Sequence, residues 1–335
     1  MSQLQNEDKD EKVWVGFDLG GTKMLAVVFD DNYQMLGRRR RKTRSKSGGA
    51  VSTDRIIETI QMALDEAGIG SEALGGIGAG CPGQVDMPNG VIDEAPNLGW
   101  VNVGLKKALK DAFKCPAVIC NDVDAGVYGE YRAGVAKGGR CVLGVFPGTG
   151  VGGGCVYEDR IFRGSRKSCM EVGFLQMATE GPAAGVGPVG TLEGLASRLA
   201  IAGEAAKAVY RGQAPWLAKE TGADVAKIRS GVLAEAINQG DTVVETIVRR
   251  AAQQVGRGIG SAVNLLAPDI VVIGGGLVEA MPDLYLQETT SGAERNTIPA
   301  LRECFEIRIA SLRDYSGVTG AAAWARRCAD QPETV

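Results

Sequence analysis

V-G-F-D-L-G-G-T-K, from Val15 to Lys23, is the stretch on which the reading of the fold turns. Val13 to Phe17 is a short apolar run rich in strand formers, Gly20-Gly21 breaks it, and a second apolar run from Met24 to Phe29 ends at Asp30-Asp31-Asn32. That pattern is a β-hairpin opening a sheet. Glycines at its turn let backbone N–H groups approach an anion such as a phosphate, and Asp18 is placed to hold a hydrated Mg²⁺ through water. D-x-G-G alone fits a plain hairpin turn equally well.

A second unit repeats the plan from Cys141: an apolar strand through Phe146, a glycine-rich loop from Pro147 to Gly154, and a strand through Val156-Tyr157. Every glycine in G-T-G-V-G-G-G, Gly148 to Gly154, costs folding entropy that packing must offset, which is excessive for a mere turn. Neither loop fits G-x-x-x-x-G-K-[ST] or the strand-to-helix G-x-G-x-x-G, because each leads into another strand. Two facing hairpins of this kind would form a two-sided phosphate clamp.

The remaining pattern alternates strands and helices, which argues an α/β fold. Helical periods run from Ser52 to Ala67, with capping candidates Ser52, Thr53 and Asp54, and over Lys106 to Phe113, Leu192 to Val209, Val225 to Asn238 and Thr242 to Leu266. Strands are expected at Ile77 to Cys81, at Ala117 to Cys120 leading into Asn121-Asp122, and at Ile270 to Ile273 before Gly274-Gly275-Gly276. At 335 residues the chain exceeds a usual single core, so two domains with a cleft are expected.

Composition excludes whole classes of chemistry. With no histidine, there is no Ser-His-Asp triad, no Cys-His dyad and no H-E-x-x-H zinc site, so proton transfer falls to a carboxylate, Lys, Tyr or Cys. The eight cysteines include no C-x-x-C pair and read as reduced, buried small residues. No apolar run reaches the roughly 18 residues of a membrane span. The polar start, Met1 to Lys12, lacks a signal or transit pattern, so a soluble, cytoplasmic protein is expected. A net charge of −3 makes no case for nucleic acid. The local run R-R-R-R-K-T-R-S-K, residues 38 to 46, reads as a solvated strand end, because no aromatic residues interleave with the charges.

Taken in order, D-L-G-G-T-K, C-P-G, A-P-N-L-G-W, N-D, G-T-G-V-G-G-G, E-V-G, T-L-E-G-L-A-S, V-I-G-G-G and Y-S-G-V-T-G-A-A resemble the motifs of the ROK family, from Val13 to about Arg327. That family groups bacterial glucokinases, other hexose kinases and sugar-responsive repressors. The resemblance implies an actin-like ATPase (ribonuclease H-like) duplicated fold. It also implies a smaller domain of residues 13–121 joined by a C-terminal helix at about 315–330, and a larger one of 122–314. It implies a kinase that moves a phosphoryl group from ATP, with Mg²⁺, to a sugar.

Carried over by motif, Asp122 is the catalytic base, and Asn97, Asn121, Glu171 and Glu193 bind the sugar. Asp18, Gly20, Gly21, Thr22, Lys23, Gly148, Thr149, Gly150, Gly275 and Gly276 serve ATP, with Asp18 also serving the metal. The residues themselves leave alternatives: Asp122 also suits a helix N-cap, and Glu193 a first-turn helix acid. A carboxylate base agrees with the loose transition state of phosphoryl transfer, where positioning and charge neutralisation dominate. A homodimer is common in the family.

The chain departs from the family at its zinc site. Phe174 stands where E-x-G-H has its histidine, and Ala184, Val186 and Thr191 stand where three cysteines would be, while Gly185, Gly187 and Gly190 remain. No zinc is expected, and packing must replace a contribution on the order of 10 kcal/mol. An aromatic face cannot read a hydroxyl, which leaves the sugar open: glucose leads, and another hexose or an N-acetylhexosamine (fructose, N-acetylmannosamine, N-acetylglucosamine) is the alternative. A sugar-binding protein that has lost catalysis is a further one. A repressor is not expected, since only about a dozen polar residues precede the first strand, too few for a helix-turn-helix module.

Overall fold

In the computed structural model, which describes residues 12–43, 51–183 and 187–331, the chain divides into two units. Unit 1 comprises the residues up to Gly134, Ile161–Cys169 and those from Asp314 on. Its opening hairpin is β1 (Val13–Leu19) and β2 (Lys23–Phe29), followed by β3 (Met35–Lys42), α1 (Thr53–Ala67) and β4 (Leu74–Cys81). Strands β5 (Gln84–Asp86), β6 (Val91–Ala95) and β7 (Trp100–Val103) make a small antiparallel sheet, and α2 (Leu105–Phe113), β8 (Ala117–Asn121) and α3 (Asp122–Ala133) complete the first stretch. The main sheet runs β3-β2-β1-β4-β8. Its central strands β1 and β4 are buried almost throughout, which explains their near-continuous apolar and glycine content.

The C-terminal helix, Ser316–Asp330, lies on this sheet, its Val318, Ala322 and Ala325 in one apolar cluster with Trp14, Leu25, Val27 and Phe29, and glycine at the closest approaches. A Cβ on Gly16 or Gly78 would fall 1.8 Å from the carbonyl oxygen of Val318 or Ala321, and one on Gly320 1.7 Å from that of Ala125 in α3. Sheet, C-terminal helix and α3 are therefore pressed together through glycine. The units divide at Gly134/Val135, one helix later than the 121/122 boundary expected from the sequence, because α3 packs on the C-terminal helix. Segment Ile161–Cys169 also belongs to unit 1, where Arg166 pairs with buried Asp86 at 2.6 Å.

Unit 2 repeats the plan. Strands β9 (Cys141–Pro147) and β10 (Val151–Tyr157) form its hairpin, and β11 (Arg160–Ile161), β12 (Ile270–Ile273) and β13 (Glu306–Ile309) complete a sheet of order β11-β10-β9-β12-β13. In both sheets the hairpin is antiparallel, and its first strand runs parallel to the next neighbour, β1 with β4 and β9 with β12. The same order twice is the signature of a duplicated fold. Helices α4 (Leu192–Ala196), α5 (Arg198–Tyr210), α6 (Pro215–Thr221), α7 (Ser230–Asn238), α8 (Thr242–Leu266), α9 (Gly276–Ala280) and α10 (Pro282–Asn296) supply the rest. Val244, Val248, Ala251, Val255, Ile259 and Val263, three or four residues apart, put one apolar face of α8 into the core.

Three local expectations change. Gly152, Gly153 and Gly154 are strand residues paired with Phe146, Val145 and Gly144, so the turn is only Gly148–Gly150. The helix expected over 192–209 breaks at Ser197, whose extended backbone ends α4 and whose hydroxyl caps α5. The helix expected from Val225 begins at Ser230. The basic run falls on edge strand β3, where Arg40 and Arg41 pair with Asp314 and Glu58, as charged edges commonly do. Its residues 44–46 lie outside the described residues.

Candidate functional site

In unit 1 the candidate residues gather where β1 and β8 end. Register places Asp18 opposite Leu25 on β2 and Gly80 on β4. The Gly20 N–H donates to the Lys23 carbonyl at 2.9 Å, and buried Thr43 donates its N–H to the Thr22 carbonyl (3.0 Å) and its hydroxyl to the Gly20 carbonyl (2.6 Å). With its carbonyls drawn back, the turn presents Gly21, Thr22 and Lys23 to solvent. Exposed Asn97 stands beside it, its Cβ 3.8 Å from where a Gly21 Cβ would be.

Asn121 ends β8 and caps α3, its side-chain oxygen accepting from the N–H groups of Val123 (2.8 Å) and Asp124 (3.4 Å). The N-cap role offered to Asp122 thus belongs to Asn121, and Asp122 is the first residue of the helix. Its Oδ1 accepts from Val123 N–H at 3.0 Å, while Oδ2 receives no hydrogen bond among the described residues. Burial raises the Asp122 carboxyl above the usual range. Asp18 is pushed up to about 7, first by burial, then by Asp122 and Asp314, against the lowering effect of Arg40. The thiol of Cys81 beneath them is raised by burial and by both carboxylates.

Two desolvated carboxylates, of which Asp122 adds to the proton affinity of Asp18, make a place where a cation is stabilising. No group of three or more His, Cys, Asp or Glu suited to a metal occurs among the described residues. Mg²⁺ keeps several waters and needs only one or two carboxylates beside substrate phosphates, so Asp18 fits it. Sequence reading missed Arg40, Asp314 and Gly317. The first two pair at 2.9 Å, Arg40 lies in the cross-strand row Asp18–Leu25–Arg40, and a Gly317 Cβ would stand 3.3 Å from the Asp18 carboxyl carbon. The sheet row that links Arg40 to Asp18 is invisible without the pairing of β2 and β3.

In unit 2 the turn Gly148–Gly150 joins β9 to β10, with Gly148 N–H donating to the Gly150 carbonyl at 2.8 Å. Glu193, in the first turn of α4, accepts the Val151 N–H at 2.9 Å, and a Cβ on Gly150 would lie 2.2 Å from the same oxygen. Glu193 therefore holds the turn, a task beyond the sugar contact expected of it. Arg198 N–H donates to the Gly148 carbonyl (2.8 Å), and its guanidinium donates to the exposed Thr149 hydroxyl (3.1 Å) and the Ile228 carbonyl (3.5 Å). Gly275, at φ 84°, abuts Pro147, whose carbonyl oxygen is 2.9 Å from its hypothetical Cβ, and Gly276 opens α9 beside Ser230. These pieces form one wall, in which Arg198 and the stretch from Ile228 to Ser230 were not foreseen.

Glu171 is exposed and precedes the short turn Val172–Phe174, which is anchored by Gly173 against the Val151 carbonyl. The edge atoms of the Phe174 ring lie 3.1 and 3.2 Å from a Cβ on Gly187, so the aromatic ring rests on the loop that the family's histidine would join through metal. Buried Thr191 caps α4, accepting from Gly194 N–H at 3.3 Å. Gln176 donates its amide to the carbonyls of Val189 (2.8 Å) and Ala178. Ala184, Gly185 and Val186 lie outside the described residues.

Comparison with known proteins gives these motifs a context. The model of the ROK family matches residues 14–328. A glucokinase of Halalkalibacterium halodurans is 30% identical over 316 residues, 92% of this chain and 94% of that protein. A xylose repressor of Caldicellulosiruptor bescii is 26% identical over 269 residues, 80% of this chain and 66% of that one. The crystal structure of a ROK family glucokinase from Streptomyces griseus, in complex with glucose and AMPPNP, superposes with a TM-score of 0.79 at 28% identity, covering 94% of this chain and 99% of that one. The actin-like ATPase architecture expected from the sequence is the one the chain adopts.

Proposed function

The chain belongs to the ROK family of sugar kinases and sugar-responsive regulators, and from that premise we propose that it transfers the terminal phosphoryl group of ATP to a hexose hydroxyl, glucose being the leading substrate. The observation that carries this reading is the pair of desolvated carboxylates, Asp18 and Asp122, at the ends of β1 and β8, the two strands that flank β4, beside a glycine turn. A regulator that only senses sugar needs no cation beside a glycine turn, whereas a kinase does, and Mg²⁺ would balance the charge of this pair when it is ionised.

Asp122 is the base. Val123 N–H occupies its Oδ1 and orients the carboxylate, leaving Oδ2 to accept the sugar hydroxyl proton as the O–P bond forms. Asn121 fixes this geometry from the cap of α3. Asn97, Glu171 and Glu193 are the other sugar ligands, the two glutamates each accepting from neighbouring hydroxyls. The Gly20–Lys23 and Gly148–Gly150 turns hold phosphates through backbone N–H groups, and Gly275-Gly276 leaves room for adenosine against main chain. Mg²⁺ held through water by Asp18 would neutralise phosphate charge.

Phe174 favours one competing reading. Without the family's histidine the pocket loses a hydroxyl contact, which suits a different hexose, an N-acetylhexosamine, or a sugar binder without catalysis. We further propose a cytoplasmic location and a homodimer; among the described residues no helix is long and apolar enough to cross a membrane. The test is ADP release with MgATP and a panel of hexoses and N-acetylhexosamines. Turnover with one of them supports the kinase; sugar binding without turnover across the panel supports the non-catalytic reading.

A further inference from the structure

We propose that Arg198 binds the distal phosphates of the nucleotide from the floor of the Gly148–Gly150 turn. The assignment rests on the kinase reading above and adds to it a residue that no motif marks.

Arg198 is the first residue of α5, after the buried cap Ser197. Its backbone already performs the structural task, donating to the Gly148 carbonyl at 2.8 Å. The side chain then folds back onto the same turn, yet it meets only neutral acceptors: the Thr149 hydroxyl at 3.1 Å and the Ile228 carbonyl at 3.5 Å. Arg140, Arg166 and Arg249 each pair with a carboxylate, whereas no carboxylate pairs with Arg198 among the described residues. A half-buried guanidinium held by one ordinary and one long bond, both to neutral acceptors, retains donors in a planar fork suited to phosphate oxygens.

Position selects which phosphates. Thr149 is the tip of the turn, while Gly275, on the side assigned to adenosine, packs on Pro147 at its beginning. Through Thr149, Arg198 reaches the tip of the turn, away from the Gly275 contact at Pro147, and so toward the part of the ligand that distinguishes ATP from AMP.

The experiment is calorimetric titration of the full chain with ATP, ADP and AMP, each with Mg²⁺ and without sugar, for wild type, Arg198→Ala and Arg198→Lys. Arg198→Ala is expected to weaken ATP by about ten- to a hundredfold, ADP by less, and AMP by no more than about twofold, with Arg198→Lys recovering part of the ATP loss. An equal loss for all three nucleotides would mean that Arg198 merely supports the turn, and unchanged ATP affinity would mean that it touches no phosphate. Either result overturns the assignment. If wild type binds no nucleotide, the kinase reading itself falls and takes this assignment with it, whereas nucleotide binding without sugar turnover leaves Arg198 standing.

Discussion

Gly150→Ala separates the role of Glu193 in holding the phosphate turn from its role in folding. The new Cβ would sit 2.2 Å from Glu193 Oε2, more than an ångström inside ordinary contact, which begins at 3.4 Å. Gly150 has no positive φ, so the backbone accepts alanine and the flexible carboxylate moves instead. Its bond to Val151 N–H, 2.9 Å long, is lost. A bond to a charged acceptor is worth about 1.5–3 kcal/mol, with the lower end apt for a half-exposed group that water can rehydrate. Alanine returns about 0.4–1 kcal/mol by restricting the unfolded chain. Net destabilisation should stay near about 1 kcal/mol, a shift of a few degrees in thermal unfolding. Function should suffer more, because on the proposed reading the displaced carboxylate also leaves the sugar: kcat/KM for the sugar should then fall by about ten- to a hundredfold. Glu193→Gln alone should cost a similar factor, and the double variant much less than the product of the two. Thermal melts and steady-state kinetics decide it. Gly150→Ala with wild-type kcat/KM would refute the claim that one carboxylate serves turn and sugar together.

Further outcomes follow from other contacts. Gly78→Ala drives a Cβ to within 1.8 Å of the Ala321 carbonyl, where only backbone can yield, and should destabilise unit 1 by at least about 3 kcal/mol in denaturant unfolding. Asp18 carries a folded-state value of about 7 against an ordinary 3.8, so the folded metal-free protein binds the extra proton in that interval. Its stability contribution should fall as pH rises from 3.8 toward 7 and level off above, and added Mg²⁺ should raise the melting temperature more at pH 8 than at pH 5. Arg40→Gln removes the cation that lowers Asp18, so the pH at which activity appears under limiting Mg²⁺ should move upward. A zinc chelator should leave wild-type activity and melting unchanged, while Phe174→Ala, which strips the ring from Gly187, should lower the melting temperature.

Elements with a strong local period were legible in the sequence. The hairpin around Gly20-Gly21, the helix Thr242–Leu266 and the strand Ile270–Ile273 lie where periodicity and turn residues put them. The equivalence of the two sheets was half legible: two strand–glycine–strand units could be read, but the position of β4 and β12 beside the first hairpin strand depends on crossovers that no local pattern encodes. Misreadings came where one residue type serves two conformations. Gly152–Gly154 looked like loop yet pair as strand, since glycine there admits the close approach of Met170 to Gly153. Asn121 and Asp122 are both good caps, and strand register awards the cap to the first. Arg40, Asp314 and Arg198 escaped notice because their partners are distant in sequence, 274 residues away for Arg40 and 49 for the Arg198–Thr149 bond.

The central claim concerns Asp122, and coupled ADP release with MgATP and a panel of hexoses and N-acetylhexosamines tests it most directly, with wild type beside Asp122→Ala and Asp122→Asn. The account predicts turnover with one sugar, a loss of at least about a hundredfold in kcat for both variants, and nearly unchanged nucleotide affinity in both. Wild-type turnover that survives in Asp122→Ala, or a folded wild type that releases no ADP with any sugar, would contradict it.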